Sequence, residues 1–196
     1  MSATRKTSPV DSPRRRPAAA PRTGGTTLPG GLLRIFGVGA LIIGDSGIGK
    51  SESSLELIAR GHKFISDDVV RVRREGPGRL TGEAPPLSRN FMEIRGLGII
   101  NIREIFGPRS ILSRSRIDLI IRLKKWRHGL ELDRLGLKLP EDEVILGEKV
   151  PQVFVPVAPG RNIATLIEVA CKVHLLGKKG YHAPSEIMKR LDRALS

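Results

Sequence analysis

From Leu32 onward the chain alternates between short apolar runs and polar, glycine-punctuated stretches. "GLLRIFGVGALIIG" reads as two strands broken at Gly37–Gly39, the second, Ala40–Ile43, running into a glycine-rich loop. "KSESSLELIARG" has the spacing of a helix, with Leu55, Leu57 and Ile58 on one face and Gly61 in a C-terminal capping position. "KFIS" is a short strand, and "VVRVRR" continues extended with apolar and basic residues alternating. "EGPG" is a turn.

The segment "APPLSRNFMEIRGLGIINIREIFG" holds so many glycines and prolines that it reads as loop, short segment and loop. "IDLIIRLKKW" is a strand rich in β-branched residues, whereas "RHGLELDRLGLKLPEDEVILGEKVP" is polar and loop-rich. "QVFVPV" is a strand and "APGRN" a turn. "IATLIEVACKVHLLGKKG" and "APSEIMKRLDRALS" are helices, the first with Gly180 after a basic last turn, the second amphipathic. There is no internal repeat. Strand, loop, helix and strand, then further strands and terminal helices, predict an α/β domain.

Residues 1–31 carry little apolar character and much Pro, Gly, Ser, Thr and Arg, so the expected division is a disordered basic tail over 1–31 and a folded domain over 32–196. The net charge of +14 is shared unequally: the tail holds six basic residues against one acidic, the remainder 28 against 19. Such a surface suits nucleotides, phosphate and an acidic protein partner, and it also suits non-specific nucleic-acid binding. Aromatics at 4% leave little for base stacking, which weighs against specific nucleic-acid recognition. Cys171 is the single cysteine, so no intrachain disulfide forms, and its apolar surroundings predict a core residue. No run approaches a membrane span and no secretory signal is evident, so the expected location is cytoplasmic. His62 is expected at the surface near a helix end, and Trp126 is expected to pack.

Chemistry concentrates in Gly44–Ser51, "GDSGIGKS", a complete phosphate-loop motif between a strand and a helix. Its backbone, from Gly44 through Asp45, Ser46, Gly47, Ile48 and Gly49, is expected to cradle phosphates. Lys50 neutralises them and Ser51 offers a hydroxyl to Mg²⁺. Asp67 and Asp68 follow only eighteen residues after the loop lysine, returned by one helix and one strand. One carboxylate accepts a proton from an attacking hydroxyl while the other holds a metal or its water, and their mutual repulsion raises one pKa. Read from the residues alone, Arg134 and Arg161 either touch phosphate or pair locally, and Glu93 is a ligand or a plain loop carboxylate.

These residues resemble the HPr kinase/phosphorylase family: "GDSGIGKSE", "RGHKFISDD", "MEIRGLGIINI", "LDRLG" and "VPVAPGRNIATLIEVA" carry the resemblance from about Gly37 to Arg193. The resemblance implies a phosphoenolpyruvate-carboxykinase-like nucleotide domain with C-terminal helices. It implies a bifunctional enzyme that uses ATP and Mg²⁺ to phosphorylate a serine of the phosphocarrier HPr. The same site would reverse the step with inorganic phosphate, releasing pyrophosphate. It further implies Lys50 at the transferred phosphate, Asp68 as base and acid with Asp67 beside it, Ser51 and Glu93 as magnesium ligands, and Arg134 as a catalytic arginine. Residues 92–101 would serve both reactions. Val157, Ala158, Pro159, Gly160, Arg161 and Asn162 would form a loop tied to dephosphorylation, and the assembly would be a homohexamer. Two departures stand out. The family's separate N-terminal domain has no counterpart in residues 1–31, and Pro29 occupies the position of a family active-site histidine. The second bears on activity, in one direction more than the other. A kinase-only member, a small-molecule kinase or NTPase, and a basic scaffolding protein are the alternative readings.

Overall fold

A computed structural model describes residues 24–126 and 140–195. Its chain order is β1 (Gly25–Pro29), β2 (Gly31–Ile35), β3 (Val38–Ile43), α1 (Lys50–Ala59), β4 (Lys63–Ser66), β5 (Val69–Gly76), β6 (Arg79–Glu83), β7 (Phe91–Ile94), β8 (Gly98–Asn101), α2 (Ile102–Phe106), β9 (Arg114–Arg116), β10 (Leu119–Lys125), β11 (Glu143–Ile145), β12 (Glu148–Val150), β13 (Gln152–Val157), α3 (Ile163–Lys178) and α4 (Ala183–Leu195).

The centre is a five-stranded mixed sheet in the order β13-β10-β3-β2-β4. β13, β10 and β3 are parallel, while β2 is antiparallel to both β3 and β4. Successive strand residues face opposite ways, and here both ways are apolar. Leu33, Ala40, Ile42, Leu119, Ile121 and Leu123 point to a core shared with Leu57 and Ile58 of α1 and Ile167 and Cys171 of α3. Leu32, Leu41 and Ile120 point to a second core with Val70, Val72 and Leu80. That second core is closed by an antiparallel four-stranded sheet in the order β1-β5-β6-β9. A sheet covered on both faces explains why its strands read as continuous apolar runs rather than alternating ones.

The layers meet most tightly at Gly39. A Cβ there would lie 1.6 Å from the carbonyl oxygen of Arg116, so only glycine lets β3 and β9 cross. Asp118 fastens the crossing, its Oδ2 accepting from the Gly39 N–H at 2.9 Å. No helix among the described residues is long and apolar enough to cross a membrane.

Several expectations are corrected. Order begins before Leu32: Gly25–Pro29 forms an edge strand on β5, pairing Thr26 with Val72 and Leu28 with Val70. Main-chain pairing holds this polar segment, with Leu28 its apolar anchor. The glycine-rich segment contains a hairpin, β7–β8, anchored by buried Met92 and Ile94. The polar stretch before "QVFVPV" contains another, β11–β12. His62 is buried, its Nε2 lying 2.7 Å from Glu168 Oε1. Trp126 is 43% exposed at the end of β10. Cys171 lies in the core as expected, where burial pushes its thiol up to about 12.

Candidate active site

β3, β10 and β13 run parallel, so their C-terminal ends open on one edge of the sheet, the edge where ligands bind in open α/β folds. The phosphate loop follows β3, and residues 158–162 follow β13. The start of α3, which follows that segment, approaches the phosphate loop: a Cβ on Gly49 would stand 3.4 Å from Ile163 Cδ1. Within the loop Gly49 occupies the N-cap of α1 in a left-handed conformation and provides no side-chain cap. The first-turn N–H groups of α1 that lack intrahelical acceptors therefore stay open to an anion, with the helix dipole behind them. Lys50 Nζ donates to the carbonyls of Gly44 and Asp45, both at 2.9 Å, so the lysine lies folded along the loop.

β4 delivers the aspartate pair to this edge, as the spacing predicted. Asp67 is buried, and its Oδ2 accepts from Ser51 Oγ at 3.1 Å. It also accepts from the backbone N–H groups of Asp68 and Glu93. Burial pushes its carboxyl up to about 6, the adjacent Asp68 charge adds to the rise, and the hydrogen bonds oppose it. Asp68 is exposed and sits at the apex of a γ-turn, with φ +60° and the Val69 N–H donating to the Asp67 carbonyl at 2.7 Å. The Gly30 N–H holds the Asp68 carbonyl at 2.8 Å. A non-glycine residue kept in that conformation by bonds on both sides is local strain of the kind found at functional sites. The Asp67 carboxyl is thus raised first by its burial and second by the neighbouring Asp68 charge.

Pro29 pairs with Val69 and therefore lies alongside the aspartate turn. Glu93 stands on β7 beside Asp67, its backbone bonded to that carboxylate and its side chain exposed. In the 157–162 segment Arg161 is exposed and its N–H closes a turn onto the Ala158 carbonyl at 3.2 Å. Asn162 caps α3, accepting from the Thr165 N–H at 2.7 Å. Its Nδ2 also donates to Glu56 Oε1 of α1 at 2.8 Å. Arg60 joins Glu56 at 2.5 Å to Glu168 at 2.6 Å. This clamp ties the helix carrying Lys50 and Ser51 to the loop after β13. It was missed in the sequence because its members lie more than 100 residues apart. Arg134 falls outside the described residues.

Ser51 and Asp67 present hard oxygen donors 3.1 Å apart, and the under-compensated charge on buried Asp67 fits a divalent cation. Among the described residues no group of three or more His, Cys, Asp or Glu is arranged to hold a metal alone. A cation at Ser51 would thus take its remaining ligands from phosphate oxygens and water, the coordination magnesium favours. A concavity of about 430 Å³ lined by Arg34, Phe36, Arg60, His62 and Lys63 lies at the β2–β3 turn, the far end of the sheet from this chemistry.

The model of the HPr serine kinase C-terminal domain matches residues 23–191. The chain is 47% identical over 168 residues to the HPr kinase/phosphorylase of Geobacter sulfurreducens, covering 85% of this chain and 52% of that protein. It is 44% identical over 167 residues to that of Caldanaerobacter subterraneus, covering 84% and 54%. The chain thus spans about half the length of these curated relatives. The structure of the HPr(Ser) kinase/phosphatase from Coxiella burnetii superposes with a TM-score of 0.73 at 35% identity, covering 83% of this chain and 98% of that one. The fold, its terminal helices and the matched residues place this chain in the HPr serine kinase C-terminal domain family.

Proposed function

We propose that the chain transfers the γ-phosphoryl group of ATP to a serine of HPr or a related phosphocarrier. We propose further that it reverses the step by phosphorolysis. In the forward direction the serine Oγ bonds to the γ-phosphorus, the bond to ADP breaks, and the serine proton passes to Asp68. In reverse an oxygen of inorganic phosphate attacks the phosphoserine phosphorus, Asp68 returns the proton to the departing serine Oγ, and pyrophosphate forms. The observation that carries this reading is the division of the aspartate pair: Asp67 is buried on Ser51 and Asp68 is exposed beside it. A carboxylate open to solvent at the loop edge can meet a hydroxyl presented by another protein.

Lys50 would leave the loop carbonyls for the phosphate, as a flexible point charge readily does. Ser51, Asp67 and Glu93 would hold Mg²⁺, which when bound neutralises charge on the phosphates. Arg134 would stabilise the transferring group, and the clamped 157–162 segment would act in phosphorolysis. The nucleotide domain is read as the phosphoenolpyruvate-carboxykinase-like type, working in the cytoplasm. Exposed Val169, Val173 and Leu176 on α3, with Ile187, Met188 and Leu191 on α4, support a partner-binding face and the homohexamer that the family resemblance implies. Membership in a protein-kinase family weighs against a small-molecule kinase, a general NTPase or a nucleic-acid-binding scaffold.

The test is to incubate serine-phosphorylated HPr with this chain and inorganic phosphate. One pyrophosphate should appear for each phosphoserine lost. Release of inorganic phosphate without pyrophosphate would replace phosphorolysis with hydrolysis.

A further inference from the structure

We propose that Gly31 and Ser54 build a buried water site behind the phosphate loop, through which Ser54 positions the Asp67 carboxylate for the metal. The proposal rests on the reading above that Asp67 holds Mg²⁺. Three elements meet at the site: Gly31 opens β2, Ser54 lies on α1, and Ser66 ends β4 just before Asp67. All four residues are buried.

A buried serine within a helix ordinarily turns back to a carbonyl of the preceding turn. Ser53 does so, its Oγ donating to the Gly49 and Lys50 carbonyls at 2.5 and 3.0 Å. Ser54 does not. Among the described residues only two buried side-chain polar atoms lack a hydrogen-bond partner, Ser54 Oγ and His174 Nε2. Ser54 Oγ lies against the space over Gly31. A Cβ at Gly31 would have three oxygens as its nearest neighbours, Asp67 Oδ1, Ser54 Oγ and the Ser66 carbonyl, each at 3.6 Å. Glycine therefore leaves a small niche walled by oxygens, where an apolar core would present carbon.

Those three oxygens match the bonding capacity of one water. A carboxylate and a carbonyl only accept, so the water donates to Asp67 Oδ1 and to the Ser66 carbonyl, while the Ser54 hydroxyl donates to the water. Three such bonds are typical of a buried water. Asp67 has room for one more: Ser51 Oγ and the N–H groups of Asp68 and Glu93 already donate to it, and a carboxylate offers about four lone-pair sites. Held through Oδ1, the carboxylate keeps Oδ2 turned to Ser51 and the cation. Ser54 touches neither substrate nor metal; it acts as a positioning residue, as the outer partners of metal ligands do.

The experiment is a high-resolution crystal structure of the full chain, joined to the magnesium dependence of phosphoryl transfer to an HPr-type protein. The parent, Ser54→Ala, Gly31→Ala and the double variant are compared, with thermal unfolding as the folding control. Gly31→Ala suits the purpose because its methyl meets only ordinary contacts at 3.6 Å yet takes the water's place. The structure should show one ordered water within hydrogen-bond distance of Ser54 Oγ, Asp67 Oδ1 and the Ser66 carbonyl. Each single variant should raise the magnesium concentration for half-maximal transfer about tenfold, with kcat at saturating magnesium largely kept. The double variant should be no worse than Gly31→Ala alone, because both changes act on one water. A niche without ordered water would overturn the site, and so would folded variants whose magnesium dependence matches the parent. Additive losses would overturn the shared water. A parent whose transfer needs no magnesium would instead overturn the metal reading of Asp67, and with it the positioning role of Ser54, whatever the density over Gly31 shows.

Discussion

Asp67→Asn is the substitution whose effect the structure quantifies most directly. The Asp67 carboxyl, ordinarily near 3.8, is pushed up to about 6 in the folded chain by burial and by Asp68. The folded state therefore keeps a proton that the unfolded state releases from about pH 4 upward. Where the folded state binds more protons, stability falls as pH rises, so the loss accumulates between about pH 4 and pH 6. A shift of about two pKa units at about 1.4 kcal/mol each makes the ionised carboxylate cost the folded chain about 3 kcal/mol by pH 7. Asparagine cannot ionise and removes that cost. Its single acceptor oxygen serves Ser51 and the two backbone N–H groups less well, a loss of about 1 kcal/mol that does not vary with pH. Urea unfolding without magnesium or nucleotide should find Asp67→Asn no more stable than the parent at pH 4. At pH 7 it should be about 2 kcal/mol more stable, with phosphoryl transfer lost. A stability difference that stays flat between those pH values would refute the claim that Asp67 is an uncompensated buried charge.

Three further outcomes are expected. Gly39→Ala drives a methyl into the Arg116 carbonyl and should cost about 3 kcal/mol or more in urea unfolding; a smaller loss would contradict the tight β3–β9 crossing. Glu56→Ala frees Asn162 from α1 at a stability cost below about 1 kcal/mol, since Glu56 is partly exposed. It should lower phosphorolysis more than phosphorylation, and equal losses in both rates would remove the clamp from the mechanism. Pro29→His puts an imidazole alongside the aspartate turn and should raise one direction severalfold over the other in paired rate measurements, whereas unchanged rates would show that the position is dispensable here.

The parts of the fold legible in the sequence are those specified locally. β3, the glycine loop, α1 and β4 follow one another within 29 residues, and each carries its own signal of apolar run, glycine spacing or helical period. The aspartate pair is legible for the same reason, because a single helix and strand fix its return. What escapes depends on partners far along the chain. β1 has the composition of a linker and becomes a strand only because β5 offers it main-chain partners. The β7–β8 hairpin alternates Met92, Glu93, Ile94 and Arg95 for four residues, too short a run to stand out as a strand among glycines. In β11–β12 the turn places Leu146 at φ +50° before Gly147, a primed turn with an unusual first residue that hid the hairpin. His62 becomes buried through Glu168, 106 residues away, and the helix-end position gave no sign of it.

The central claim is tested most directly by intact-mass spectrometry of an HPr-type protein incubated with this chain, ATP and Mg²⁺, with inorganic phosphate added afterwards. Asp68→Asn runs alongside. The account predicts one phosphate added to a serine by the parent and none by Asp68→Asn, then its removal with pyrophosphate release when phosphate is supplied. An HPr-type protein left unmodified by a chain that still binds nucleotide would contradict it.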